Sequence, residues 1–202
     1  MKRIQRSAAG LLGTALLVAG LTSLAAPAQA TTASPAAPRA SAITSDATAR
    51  AEVLAAVRRQ AVTHPNETGR HICYAAHVQN IGWQSAVCDG QMAGTTGRSL
   101  RMEALSIAVS GVGGVCAVAH VQNIGWQHWV CAGDGTAVGV GTTGQSLRME
   151  ALGIGVGSGS VCARAHVQNI GWQSKVCAAA GQAAFVGTTG QSLRMEAVIL
   201  TV

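Results

Sequence analysis

The chain has 202 residues, 14 basic against 8 acidic, with 25 Gly but only four Trp, one Tyr and one Phe. A core must therefore be built from Val, Ile, Leu, Met and Ala, with glycine at the tight turns. The formal charge of +6 divides into +3 for residues 1–30, +2 for residues 31–70 (five Arg against three acids) and +1 for residues 71–202 (six basic against five acidic), so the clustered basic footprint of a nucleic-acid binder is absent.

Residues 1–30 read as a secretory signal peptide. Lys2, Arg3 and Arg6 make a positive start, Leu11 to Leu24 is apolar and uncharged, and Ala28-Gln29-Ala30 offers an A-x-A cleavage site. The apolar run is short for a membrane anchor, and no other stretch reaches the roughly eighteen apolar residues that a span needs. The mature protein is expected to be secreted and extracellular, with no membrane attachment after cleavage.

Residues 31–70 read as a linker or pro-segment. Thr31 to Ser45 is rich in Ala, Ser, Thr and Pro, which favours an unpacked leader. Strong helix formers then dominate, and Val53, Leu54 and Val57 share one side, which predicts a short helix over 46–62 with Asp46 as N-cap and Pro65 closing the stretch. That helix is read as a solvated arm, with a surface cap or a pro-segment as the alternatives.

Residues 71–202 repeat three times, over 71–112, 113–158 and 159–202. The nonapeptide Ala-His-Val-Gln-Asn-Ile-Gly-Trp-Gln recurs unchanged at Ala76 to Gln84, Ala119 to Gln127 and Ala165 to Gln173. A second block, Gly-Thr-Thr-Gly-(Arg or Gln)-Ser-Leu-Arg-Met-Glu-Ala, follows at Gly94, Gly141 and Gly187. Self-similarity at a fixed period is the signature of a repeat architecture.

Each repeat carries one cysteine pair at a constant spacing: Cys73 and Cys88, Cys116 and Cys131, Cys162 and Cys177. In an exported chain an even, periodic set reads as a disulfide framework, and no C-x-x-C metal spacing occurs. The midpoint of Cys73 and Cys88 falls inside the nonapeptide, so a hairpin turning at Asn80-Ile81-Gly82 brings them together. Pairing within each repeat follows.

The run after the Gly-Thr-Thr-Gly turn is ambiguous between helix and strand. Its residues Leu, Arg, Met, Glu and Ala favour helix, yet Leu105, Ile107 and Val109 alternate strictly. Leu100 and Met102 have the opposite phase, and a bulge near Glu103-Ala104 brings all of them to one side. Strand is the preferred reading. The fold class expected is all-β, three tandem repeats in a pseudo-threefold β-prism or β-trefoil-like domain preceded by a short N-terminal helix; an open linear stack is the alternative.

The two blocks, in order and three times over, resemble the clostridial hydrophobic repeat with a conserved Gly-Trp, the ChW repeat, across 71–202. The resemblance implies an extracellular or cell-surface module that binds polysaccharide or protein and in larger relatives accompanies secreted hydrolases or adhesion-type proteins. This chain departs from that pattern in its cysteine pairs and in showing no attached catalytic domain.

Trp83, Trp126 and Trp172 are the leading ligand-contact candidates, because an exposed indole stacks on a sugar ring while neighbouring polar groups bond its hydroxyls. His77, His120 and His166, with Gln79, Gln122 and Gln168 and the following Asn80, Asn123 and Asn169, lie near enough in sequence to form that rim. One Trp per repeat is equally what a threefold core would use as its packing centre. Trp129 has no counterpart and reads as a surface contact. Arg101 and Glu103, Arg148 and Glu150, and Arg194 and Glu196 read as structural ion pairs.

No catalytic residue, metal or cofactor is expected: identical repeats give every Glu and His the same surroundings, whereas acid–base catalysis needs unlike ones. The function expected is a secreted non-catalytic binding module for cell-wall or environmental polysaccharide. The alternatives are an extracellular protein-interaction or structural surface protein with the repeat Trp buried, and a disulfide-rich secreted inhibitor using the longer connections at 132–139 and 178–186.

Overall fold

The computed structural model describes residues 45–64 and 69–202. The signal peptide read over 1–30 and the first part of the linker lie outside these residues. Each repeat folds into five strands. The first holds β1 (His71–Val78), β2 (Gly82–Trp83), β3 (Val87–Cys88), β4 (Met92–Gly94) and β5 (Met102–Ser110). The second holds β6 (Val115–Val121), β7 (Gly125–Trp126), β8 (Val130–Ala132), β9 (Val138–Gly141) and β10 (Met149–Val156). The third holds β11 (Ser160–Val167), β12 (Gly171–Trp172), β13 (Val176–Ala179), β14 (Ala183–Gly187) and β15 (Met195–Thr201).

The strands make three antiparallel sheets, and no repeat completes its own. In the first sheet β1 takes β2 and β3 on one edge and β5 on the other, and β5 then pairs with β9 of the second repeat. The second sheet, built on β6 and β10, is completed by β14 of the third repeat; the third, built on β11 and β15, is completed by β4 of the first. The exchange is cyclic, so the array closes on itself and is not an open stack. Closure removes the terminal sheet edges that an open stack would expose.

Local chemistry sets the pieces. Asn80 and Gly82 adopt positive φ (62° and 83°) at the hairpin turn, as do their counterparts in the other repeats. The hairpin aligns Cys73 with Cys88, Cys116 with Cys131 and Cys162 with Cys177, and all three pairs are bridged. Each bridge spans 15 residues, for which loop-closure entropy gives a stabilisation of about 3 kcal/mol.

The ambiguous run is strand in every repeat, and the bulge is present. His77 pairs with Ala104 while Val78 pairs with Met102, so Glu103 is the extra residue. Glu150 and Glu196 are bulged in the same way. The phase shift sends Met102, Leu105, Ile107 and Val109 to the same core, which the three sheets share and fill with Val, Ile, Leu, Met and Ala. No Trp enters it.

Helix α1 (Asp46–Thr63) corrects the reading of a solvated arm and of its cap. Ser45, not Asp46, is the N-cap, its side chain accepting from the Thr48 amide. Ala49, Val53, Ala56 and Val57 are buried against Cys73, Ala75, Trp83, Ala104 and Ala108 on the outer surface of the first sheet. Spacing of i, i+4, i+7 and i+8 gives one apolar stripe, and the small residues beneath let the helix lie close.

One asymmetric residue locks the closure. Tyr74 stands where the other repeats have Ala117 and Ala163. Its buried hydroxyl donates to the Gln91 carbonyl and accepts from the Leu200 amide (2.9 Å), joining the first repeat to the third just before the start of β4. Burial pushes that hydroxyl well above the ordinary tyrosine range, as expected when a phenolate would have to form without water. Tyr74→Phe strands the Leu200 amide in the core, so urea unfolding should show a loss of about 1–3 kcal/mol; no loss would mean that this bond does not hold the ring shut.

Candidate functional site

The bulged glutamate organises each repeat. Glu103 is 6 % exposed, and the Arg101 guanidinium contacts Oε1 through both Nε (2.9 Å) and Nη2 (2.7 Å). His77 Nδ1 stands 3.0 Å from Oε2. Arg148–Glu150–His120 and Arg194–Glu196–His166 repeat the arrangement within about 0.1 Å. Each carboxylate is thus held between two cationic or polar partners, which is what a nearly buried acid requires.

The histidine then sets the tryptophan. His77 and Trp83 are directly cross-strand partners, and their rings meet edge to face with centroids 5.4 Å apart. His120–Trp126 and His166–Trp172 do the same at 5.3 Å. The last residue of the nonapeptide fixes the other side. Gln84 donates to the Gly94 carbonyl (3.1 Å) and accepts from its amide (2.7 Å), as Gln127 does with Gly141 and Gln173 with Gly187. A Cβ on Gly141 would lie 2.4 Å from the Glu103 carbonyl, so glycine alone allows the donated strand to approach the neighbouring bulge.

On this common frame the three outer surfaces differ. Equivalent cross-strand rows are Ala75–Ser106–Gly139 on the first sheet, Val118–Gly153–Phe185 on the second and Arg164–Ile199–Met92 on the third. Trp83 is 8 % exposed beneath α1, and its Nε1 donates to Asp46 (3.0 Å), whose carboxylate also accepts from the Thr143 hydroxyl. Arg50 of the helix passes over Gly139, where a Cβ would meet it at 2.9 Å.

On the second sheet no helix of the described residues lies over the corresponding indole. Trp126 (44 % exposed), Phe185 (51 %) and Trp129 (47 %) stand out from the surface. Trp126 and Trp129 both meet Phe185 edge to face, at 5.6 and 6.1 Å, and Phe185 lies over Gly153. A groove of about 620 Å³ continues from Trp129 across a floor of Gly113, Gly114, Gly155 and Gly157. On the third sheet Trp172 is half-buried, with the Arg164 guanidinium 5.3 Å from its ring centroid.

Of the residues singled out from sequence, Trp126 and Trp129 come together on one surface, Trp83 is closed off by the helix, and Trp172 is shared with Arg164. His77, His120 and His166 position the indoles from behind. The amides of Gln79, Gln122 and Gln168 bond the carbonyls of Arg101, Arg148 and Arg194, and their side chains hydrogen-bond no other described residue. Sequence reasoning missed Phe185, which belongs to the donated strand β14, and the clamp of Gln84, Gln127 and Gln173. The single Phe of the chain, aligned with Gly139 and Met92 across the repeats, is the signal that could have marked the first.

Fold and surface together define a disulfide-stapled β-repeat protein whose invariant residues build a frame and whose variable residues decorate it. The family model described as clostridial hydrophobic W, ChW, matches residues 77–111, 120–156 and 166–200. These segments make up just over half of the chain, which belongs to the ChW repeat family. No curated protein and no solved structure matches it. Three disulfides in so small a domain fit an extracellular setting.

The three indoles should respond differently to truncation. Trp83→Ala removes a buried side chain and its bond to Asp46 and should destabilise by about 3–5 kcal/mol, whereas Trp126→Ala should stay within about 1 kcal/mol of wild type. Thermal unfolding of both variants checks this, and equal losses would contradict the difference in burial.

Proposed function

We propose that the protein is a secreted, non-catalytic binding module that recognises cell-wall or environmental polysaccharide through the outer surface of its second sheet. The observation that carries this is the exposed line of Trp126, Phe185 and Trp129. Three aromatic rings held outside the core, with a groove of about 620 Å³ continuing from Trp129, are a costly arrangement for a surface with no ligand. Flat indoles match the apolar faces of sugar rings, and a track longer than one ring suits a polymer.

The reading of a protein-interaction or structural surface protein with its repeat Trp buried draws support from Trp83 alone, which α1 covers. An inhibitor gains none, because the connection at 132–139 is a short turn between β8 and β9 and that at 178–186 is mainly strand. Asp134 further pins the first by accepting from the amides of Val112, Gly113 and Gly114.

Retention on insoluble cell wall, chitin, cellulose and pectin tests the proposal. Trp126→Ala combined with Trp129→Ala should weaken retention at least about tenfold, the loss of two stacking contacts of roughly 1 kcal/mol each. Retention by none of these materials, or retention indifferent to the double change, would overturn it.

A further inference from the structure

The first repeat shows what the corner beside each tryptophan holds. There the indole N–H of Trp83 and the hydroxyl of Thr143 converge on one carboxylate, that of Asp46, which takes three contacts of 3.0–3.2 Å. An ionised carboxylate only accepts hydrogen bonds, so two converging neutral donors suit it well. Asp46 comes from outside the repeats, so the chain has placed a carboxylate in a pocket that the repeat itself supplies.

The same pocket recurs on the second sheet. Trp126 and Thr189 are the equivalents of Trp83 and Thr143, and they line one cleft of about 210 Å³ with Ala151, Phe185, Gly187 and Thr188. No described residue accepts from Trp126 Nε1 or bonds the Thr189 hydroxyl. A second copy of α1 does not suit this surface, because Phe185 and Trp129 stand where the helix of the first sheet passes over Gly139 and Ala86. The corner opens instead onto the aromatic line, from Trp126 past Phe185 to Trp129 and its groove.

Charge points to the same kind of ligand. All five carboxylates of residues 71–202 are engaged: Glu103, Glu150 and Glu196 by Arg and His, Asp89 by His71 and the Ile72 amide, and Asp134 by three amides. Arg164 and Lys175 have no carboxylate partner among the described residues, and they line one cleft of about 470 Å³ on the third sheet. Lys175 occupies the position of Trp129, and Arg164 that of Val118.

From this we infer that the polysaccharide is acidic, a uronic-acid polymer whose sugar carboxylate enters the Trp126–Thr189 corner while adjoining rings lie along Phe185 and Trp129. The inference rests on the polysaccharide reading above and adds the charged group to it. Trp126 then has two separable roles, its ring face stacking and its N–H binding the carboxylate. Trp126→Phe removes the second and keeps an aromatic ring; Thr189→Val removes the partner donor at an exposed position.

The experiment measures affinity of the full mature protein for polygalacturonate, for its methyl ester, for neutral chitin and cellulose fragments, and for poly-L-glutamate. Polygalacturonate should bind at least about tenfold more tightly than its ester, and Trp126→Phe and Thr189→Val should each weaken it by about tenfold, as loss of a hydrogen bond to a charged group implies. Unchanged thermal unfolding of both variants separates binding from folding. Equal affinity for acid and ester, or variants that bind like wild type, would overturn the carboxylate assignment while polysaccharide binding stands. Poly-L-glutamate bound as tightly as polygalacturonate, with the same dependence on Thr189, would overturn the assignment to a sugar and make the partner an acidic protein. Binding to none of the glycans would overturn the polysaccharide reading itself.

Discussion

The structure depends on one extra residue per repeat. Inserting Glu103, Glu150 or Glu196 into a strand reverses the side-chain phase, so that the Met before it and the apolar residues two and four positions after it (Leu105 and Ile107, Leu152 and Ile154, Val198 and Leu200) reach the same core. The bulge also turns a carboxylate toward the outer side, where it gathers the Arg two residues earlier and the His across the ladder. Its carbonyl accepts the amide of Thr142, Thr188 or Thr95, the residue that follows the donated strand of another repeat. Core phase, inter-repeat joining and the seat of the tryptophan thus meet at a single position.

That concentration explains why the invariant blocks are invariant in this chain. His, Trp and Gln of the nonapeptide and Gly, Arg and Glu of the second block all contact the bulge or the strand beside it. Removing the glutamine–glycine clamp or the bulged glutamate disturbs two repeats at once, since the donated strand pairs with a neighbour. The residues free to vary are those on the outer rows, and there the three copies diverge into a helix seat, an aromatic line and a basic cleft. Function is therefore expected where the repeats differ, on a frame held where they agree.

Much of this was legible in the sequence. Equal cysteine spacing and the Asn-Ile-Gly turn fixed the hairpin, and the change of phase at Glu103 marked the bulge, because both depend on neighbours along the chain. The cyclic exchange was not legible in detail. Nothing in the short segment Met92–Gly94 says that its partner is Ala197 to Ile199, more than a hundred residues away. The fate of Trp83 was hidden for the same reason: its cover is a helix that sequence describes only as mildly apolar on one side, and the Gly139 that admits Arg50 lies in another repeat. Phe185 escaped notice because it borders Trp126 only through the donated strand.

On the proposed reading, one repeated pocket is filled by the protein's own Asp46 on the first sheet and stands ready for a ligand on the second. The indole N–H resonances of the four tryptophans report on it directly, one signal for each residue. On titration with galacturonate oligomers the Trp126 signal should move and the Trp83 signal, already bonded to Asp46, should not. If Trp126 stays still at oligomer concentrations that saturate binding, or Trp83 moves as far as Trp126, the claim is wrong.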